Sequence, residues 1–487
     1  MKGLVINFNL LLLILFMGAN TSCHAQAFPS TPAGNRAAEI FGLFNNASTI
    51  SPKEYGRQNF SNSFKSAIPE DSWGGGIIQI RNMTGKVELE SFEEDGKYNI
   101  TFIIKSISNG RRFSINITTE EKEPFLISLL GLFPAGQVRS EVQNQDKQSV
   151  KKDLEVSSEK LSEVVEYLRD QAGKGLFSGA VMVAKDGKPL VSEVAGYANK
   201  GLRVPNKIDT KFNLGSLNKI FTSVAILQLV EAGKIGIDDP IGKYLDMFPK
   251  EIAENVTIRQ LLNMSNGWGD YWQNEYYLAN KDMLRTLPDY IEFIKDIPLQ
   301  FEPGSNTIHS NTGFEVAGAV IEKVSGMDYF TYVREKIYMP AGMINSDSYD
   351  RDSSVENLAT GYTNFHPLDV KREGWQWANT YILSPRGTPA GGGYSTVGDM
   401  LIFDNALRSN KLAGKKYVDF MNNRYEGEIG TKFVPVRVLR GAGGGRGISA
   451  FYGRDIINGY TILVLTNLDN PVGIEIGNQI IQIMGLE

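Results

Sequence analysis

Two strand-forming segments lie far apart in the chain, and having to meet in one sheet constrains its fold more than anything else. The first is a hairpin, Gly179–Ala184, an Asp186-Gly187 turn, then Pro189–Val194. Apolar runs around Asp-Gly read as antiparallel strands, because that dipeptide tolerates the positive φ of a tight connection. The second lies at the C-terminus, with strands near Gly447–Tyr452 and Tyr460–Thr466, then a helix from about Gly473 to Met484. Between them, from Ser216 to about Arg408, the middle of the chain reads as helical. The chain therefore leaves a sheet, builds a helical region and returns to complete the sheet. The expected class is α/β of the mixed α+β kind, an antiparallel sheet flanked by helices with an inserted all-helical region.

Upstream, residues 28–136 read as a small α+β domain. Ala37, Ala38, Ile40, Phe41, Leu43 and Phe44 form an apolar helical face after the Pro32 turn. Strands are expected at Ile77–Ile80, Lys86–Phe92, Tyr98–Ile107 and Phe113–Thr118, with Asp95-Gly96 and Asn109-Gly110 turns. One helix laid over a curved antiparallel sheet is the expected arrangement. Residues 137–160 are charged and poor in apolar side chains, as suits a linker running into a helix. The domain from 161 to 487 begins with that helix, whose stripe is Leu161, Val164, Val165 and Leu168.

The first 27 residues read as an export signal. Lys2 precedes the apolar run Leu10–Met17, and Ala25-Gln26-Ala27 supplies a small-residue cleavage site. The run is shorter than the roughly 20 apolar residues that span a bilayer. A periplasmic or secreted location follows. The alternative is a lipid tether at Cys23, for which Asn20 is a poor fit to the processing sequence. Composition narrows the function further. Over 487 residues, Lys+Arg 50 against Asp+Glu 55 leaves a net charge of −5, which does not suit a chain built to neutralise nucleic-acid phosphates. One cysteine and three histidines exclude an intrachain disulfide and a thiolate cluster, and argue against a multi-histidine metal site.

A Ser-x-x-Lys pair puts a hydroxyl and an amine one helical turn apart on one face. If its pKa is depressed, the lysine can take the serine proton. The pattern occurs at Ser149/Lys152, Ser157/Lys160 and Ser216/Lys219. The first two lie in the polar linker, where a solvated helix face explains them. Ser216 instead follows Phe212-Asn213-Leu214-Gly215 and opens the apolar helix Ile220–Leu227. The glycine-rich run Gly441–Gly447 lacks the lysine and helix of a phosphate-cradling loop, so it reads as an edge strand or turn that is closely approached. The aromatic stretch Trp268–Tyr277 reads as helical core.

From about Leu161 to Glu487 the chain resembles the serine β-lactamase and penicillin-binding-protein-like hydrolases, on the class C side. The matching landmarks, in order, are Leu214–Thr222, Leu229–Lys234, Ile258–Leu262, Phe301–Gly304, Ser310–Gly313, Pro389–Thr396 and Val464–Asn467. The resemblance implies a β-lactamase/transpeptidase-like fold, with Ser216 as nucleophile and Lys219 as its proton acceptor. Asn311 would hydrogen-bond a substrate amide. Where the family has Tyr-x-Asn, this chain has His309-Ser310-Asn311. Where the family has Lys-Thr-Gly or His-x-Gly on an edge strand, it has Ala442-Gly443-Gly444, so that cation is missing. Gly443, Gly444 and Gly445 would still line the substrate, and the Gly445 amide would complete an oxyanion hole with that of Ser216. A further family histidine near Ser265 is Met264 here. The N-terminal module resembles small modules that precede hydrolase domains in exported bacterial proteins.

His309 keeps two readings, a general base or a hydrogen-bonded structural residue. Arg446 is either a replacement for the missing cation or a solvated arginine. The implied partner is a small acyl substrate, namely an ester, a D-amino-acid peptide or a β-lactam. Loss of the cation favours an uncharged ester. No metal or organic cofactor, nucleic acid or membrane span is implied, and the sequence leaves the oligomeric state open. The rival reading is a catalytically impaired binding or scaffolding protein, supported by the losses at Met264, His309 and Ala442.

Overall fold

The computed structural model describes residues 28–45, 50–67, 77, 81, 85–94, 96–108, 110, 112–134, 154–364, 376–430 and 438–486. The signal segment with Cys23, and most of the polar linker, lie outside them. The chain divides into two compact units, Met1–Glu141 and Val142–Glu487. Among the described residues, no helix is long and apolar enough to cross a membrane.

The first unit carries helices α1 (Pro32–Phe44), α2 (Pro52–Asn59) and α3 (Asn62–Ala67), then strands β1 (Val87–Glu94), β2 (Asn99–Ser106), β3 (Arg112–Thr119) and β4 (Ile127–Pro134). The strands pair antiparallel in the order β1-β2-β3-β4. Thr31 caps α1 by accepting from the Gly34 amide, with Pro32 at its first position. Ala37, Ile40 and Phe44 of α1 pack with Phe102, Ile104, Ile115 and Ile117 of the sheet. Two expectations need correction. Among the described residues more than one helix precedes the sheet, and Ile77 is helical rather than extended, with 78–80 outside the described residues. Strand β4 was not anticipated because Ile-Ser-Leu-Leu-Gly-Leu-Phe lacks the alternation that marks a half-exposed strand.

The second unit begins with α4 (Ser158–Gly173) and the hairpin β5 (Gly179–Lys185) and β6 (Lys188–Ala195). After a helical middle that contains α5 (Lys219–Glu231), α6 (Asn311–Ser325) and α7 (Val397–Arg408), the chain returns as β7 (Leu439–Gly445), β8 (Ile448–Arg454) and β9 (Tyr460–Thr466), and ends in α8 (Val472–Met484). The five strands form one antiparallel sheet in the order β7-β8-β9-β5-β6. The returning strand β9 pairs along the whole of β5, from Tyr460 opposite Lys185 to Thr466 opposite Gly179.

Successive side chains on a strand point to opposite faces, and here both faces are dry. Ala180, Met182, Leu463 and Leu465 enter the core shared with the helical region. Val181, Val183, Ile462 and Val464 enter a second core with Val164 and Leu168 of α4 and Ile476, Ile480 and Ile481 of α8. Two-sided burial explains why β5 and β9 read as continuous apolar runs rather than alternating ones.

Within the helical middle, helix α5 is buried over most of its surface, including Phe221, Val224, Ile226, Leu227 and Leu229. A helix buried to this extent carries any polar residue at its start into a dry environment.

Candidate active site

Ser216 stands on a 3₁₀ turn, Gly215–Asn218, that leads directly into α5. Gly215 adopts φ 51°, a left-handed conformation that glycine takes without strain. The turn is held from two sides. The carbonyls of Thr388, Pro389 and Ala390 accept from Asn218 Nδ2, Thr222 Oγ1 and Lys219 Nζ respectively. On the other side runs the edge strand β7, where a Cβ built on Gly443 would lie 1.8 Å from the Leu214 carbonyl oxygen. The glycine-rich run is therefore an edge strand approached closely, and what approaches it is the serine-bearing turn itself.

Lys219 is the first residue of α5 and is buried. Its Nζ lies 2.5 Å from Asn311 Oδ1, 2.5 Å from the Ala390 carbonyl and 3.2 Å from Ser216 Oγ. Burial pulls its pKa down to about 7, against the opposing influence of Asp270 and Glu315. A neutral amine has two N–H groups and one lone pair. The amide and carbonyl oxygens can only accept, so they take the two N–H groups, and the lone pair is left for the Ser216 hydroxyl.

His309 and Asn311 are brought to the same place by the start of α6. Ser310 caps this helix by accepting from the Gly313 amide, so Asn311 is its first residue and His309 lies just outside. His309 Nε2 is 3.2 Å from Ser216 Oγ, and Nδ1 is 3.2 Å from Asp270 Oδ2. The other Asp270 oxygen accepts from the Asn311 backbone N–H at 2.8 Å. Burial opposes the Asp270 charge, but His309, the Asn311 amide and Lys219 together hold its carboxyl below the usual range.

One turn further along α6 is Glu315, fully buried. Its Oε1 accepts from Tyr271 Oη at 2.9 Å and Thr388 Oγ1 at 2.6 Å, while Oε2 is buried with no partner among the described residues. Burial pushes this carboxyl up to about 7, despite the two hydroxyls and Lys219. The interior beside Lys219 thus favours the neutral form of both groups.

These residues open onto a cavity of about 850 Å³ lined by Ser216, Asp270, His309, Asn311, Gly444, Gly445 and Arg446. Trp272, Tyr277 and Tyr381 form part of its wall. The stretch Trp268–Tyr277 divides its duties. Trp268 is wholly buried, as expected for core, whereas Trp272 is 45% exposed and faces the cavity. Ser216, Lys219, His309 and Asn311 are brought together, and Gly444 and Gly445 share their cavity. Gly443 packs behind the nucleophile turn instead of lining the cavity, which corrects its expected place against substrate. Met264 adopts φ 62° and packs against the helical core. Sequence reasoning missed Asp270 and Glu315. Asp270 is 39 positions from His309 and sits among aromatics. Glu315 carries a local signal, an acid on the otherwise apolar run Gly313–Ile321.

The "Beta-lactamase" family model matches residues 164–481, well over half of the chain. Among curated relatives, "Penicillin-binding protein 4*" of Bacillus subtilis is 29% identical over 357 residues, spanning 68% of this chain and 74% of that protein. A penicillin binding protein from Bacillus halodurans has a similar structure, with TM-score 0.57, 26% identity, and coverage of 64% of this chain and 97% of that one. A D-amino acid amidase from Ochrobactrum anthropi shares the fold at 22% identity, with TM-score 0.56 and coverage of 67% and 99%.

Proposed function

The chain belongs to the β-lactamase family, and from that premise we propose that it is an exported hydrolase that cleaves small esters or amides through an acyl-enzyme on Ser216. The observation that carries this reading is Ser216 Oγ, with two nitrogen bases, Lys219 Nζ and His309 Nε2, each 3.2 Å away at the cavity wall. Lys219 takes the hydroxyl proton as Oγ attacks the acyl carbonyl. The amides of Ser216 and Gly445 stabilise the resulting oxyanion. The proton then passes to the leaving group, and water releases the acyl chain.

The substrate class follows from what lines the cavity. Trp272, Tyr277 and Tyr381 suit an apolar group, and the edge-strand position Ala442 supplies no cation, although Arg446, Lys281 and Arg386 stand on the same cavity wall. Small esters and amides with an apolar group fit these walls, and a substrate carboxylate would have to be met away from Ala442. The D-amino acid amidase that shares this fold supports amides as the second class. A scaffolding role, the rival reading, has no use for an amine held dry with its lone pair on a serine.

The test is a panel of p-nitrophenyl acetate, D-alanine p-nitroanilide and a chromogenic cephalosporin. The ester should turn over fastest and the cephalosporin slowest. Ser216→Ala should lower ester turnover by at least ~10⁴-fold, since removing a nucleophile leaves only binding and oxyanion stabilisation. Equal turnover in the variant would refute the assignment.

A further inference from the structure

Two bases face one hydroxyl, and their surroundings give them different capacities. Lys219 is buried, with both N–H groups of its neutral form committed to Asn311 and Ala390. Its lone pair has nowhere to point but Ser216. The His309 side chain is 46% exposed and borders the cavity, where water enters. A histidine can act as a base only if its lone pair faces the reacting group, and the partner of its other nitrogen decides that.

We propose that Asp270 is a positioning residue that fixes the tautomer of His309, so that Nε2 presents its lone pair to the water that releases the acyl group from Ser216. This rests on the hydrolase reading and adds a residue and a division of labour to it. Asp270 is suited to the task because its carboxylate is anchored: Oδ1 holds the Asn311 N–H at 2.8 Å while Oδ2 faces Nδ1 at 3.2 Å. A carboxylate can only accept, so Nδ1 carries the hydrogen and Nε2 is free of one.

In the release step, Nε2 takes a proton from water as the water oxygen attacks the acyl carbon. The tetrahedral adduct collapses by breaking the bond between that carbon and Ser216 Oγ. The same proton passes from Nε2 to Oγ, freeing the carboxylic acid and restoring the hydroxyl. Lys219 serves the first half of the cycle and His309 the second.

Asp270→Asn is the informative substitution. The asparagine keeps an oxygen for the Asn311 amide, so the start of α6 stays capped. It turns an N–H toward Nδ1, which forces the hydrogen onto Nε2 and points a proton at the serine. In Ser-His-Asp hydrolases an exchange of this kind costs about 10⁴-fold in kcat.

Here p-nitrophenyl acetate should still give a burst, because acylation uses Lys219, while the steady-state rate falls at least ~10²-fold. Asp270→Glu should recover part of that loss. In a His309→Ala background, Asp270→Asn should change the steady state by less than ~2-fold, because the release step feels the residue through the histidine. An unchanged steady state in Asp270→Asn would overturn the proposal. So would an equal loss in the His309→Ala background, which would mean that Asp270 acts through its charge on Lys219 rather than through the histidine. Thermal unfolding checks that each variant is folded. If the wild-type protein gives neither a burst nor a fluorophosphonate adduct, the hydrolase reading itself fails, and the role of Asp270 with it. An adduct on Ser216 combined with an insensitive Asp270 refutes the positioning role alone.

Discussion

Replacing Lys219 by methionine should lower the acylation rate by at least ~10³-fold with p-nitrophenyl acetate, the scale expected for losing a positioned general base. Methionine nearly matches the lysine stem and carries no amine, so packing around α5 is kept while the Asn311 and Ala390 oxygens lose their donor. Thermal unfolding separates that loss from the effect on chemistry. The pH profile carries the same argument. The base is the deprotonated amine, whose pKa is pulled down by burial to about 7. Below that value the amine is protonated and cannot accept the serine proton; above it the lone pair is available. Acylation should therefore rise as pH increases through about 7 and level off on the alkaline side. Pre-steady-state bursts from pH 5.5 to 9 would read this limb, which the Lys219→Met variant should lack. A burst rate in that variant within a few-fold of wild type would remove Lys219 from the mechanism.

The largest stability effect is expected at Asp404, on α7, far from the chemistry in role. Its side chain is fully buried, and its Oδ1 accepts from Tyr452 Oη and Arg454 Nε, both at 2.6 Å. Oδ2 accepts from Arg408 Nε at 2.7 Å and Thr461 Oγ1 at 2.5 Å. One carboxylate thus ties α7 to β8 and β9. Burial works against its charge, but Arg454 and Arg408 outweigh that and hold the carboxyl below its usual range. Asp404→Ala leaves the Arg454 guanidinium, itself only 5% exposed, without its counter-charge. Stranding a buried charge in this way costs about 3–5 kcal/mol. The denaturation midpoint followed by tryptophan fluorescence should drop accordingly, since Trp268, Trp272, Trp375 and Trp377 all belong to the second unit. The stability contributed by a carboxyl with a depressed folded pKa is present above its unfolded pKa and lost as pH falls through the folded one. The wild-type advantage over Asp404→Ala should accordingly shrink in acid. A midpoint unchanged by Asp404→Ala would show that water or rearrangement satisfies Arg454.

The sheet of the second unit was legible because its strands carry local signals. Asp186-Gly187 fixes the β5–β6 hairpin, and the apolar run Tyr460–Thr466 is β9 at both ends. Helix α8 was legible too, with its buried stripe Ile476, Ile480 and Ile481. In the first unit, α2 and α3 escaped notice because sequences such as Pro-Lys-Glu-Tyr-Gly-Arg-Gln-Asn bury little and show no apolar period. The candidate site was legible where residues are linked by spacing, as Ser216 and Lys219 are, or by an ordered motif, as His309 and Asn311 are. Asp270 was not. Its partners, His309 and Asn311, are supplied by a different element, and nothing local distinguishes an acid that receives such partners from one on the surface.

Glycine carried a similar ambiguity. Gly441–Gly447 gave a close approach without saying of what, and the structure fills that gap with the Leu214 carbonyl against Gly443. The missing cation at Ala442 therefore leaves the scaffold of the nucleophile turn intact, since that scaffold is built from backbone.

Acyl transfer at this site requires an activated serine. The most direct measurement treats the purified protein with a fluorophosphonate at pH 8, beside Ser216→Ala, and reads the adduct by intact mass and peptide mapping. The prediction is one adduct, mapped to Ser216 and absent from the variant. No adduct in the wild-type protein, or one that persists in Ser216→Ala, would contradict it.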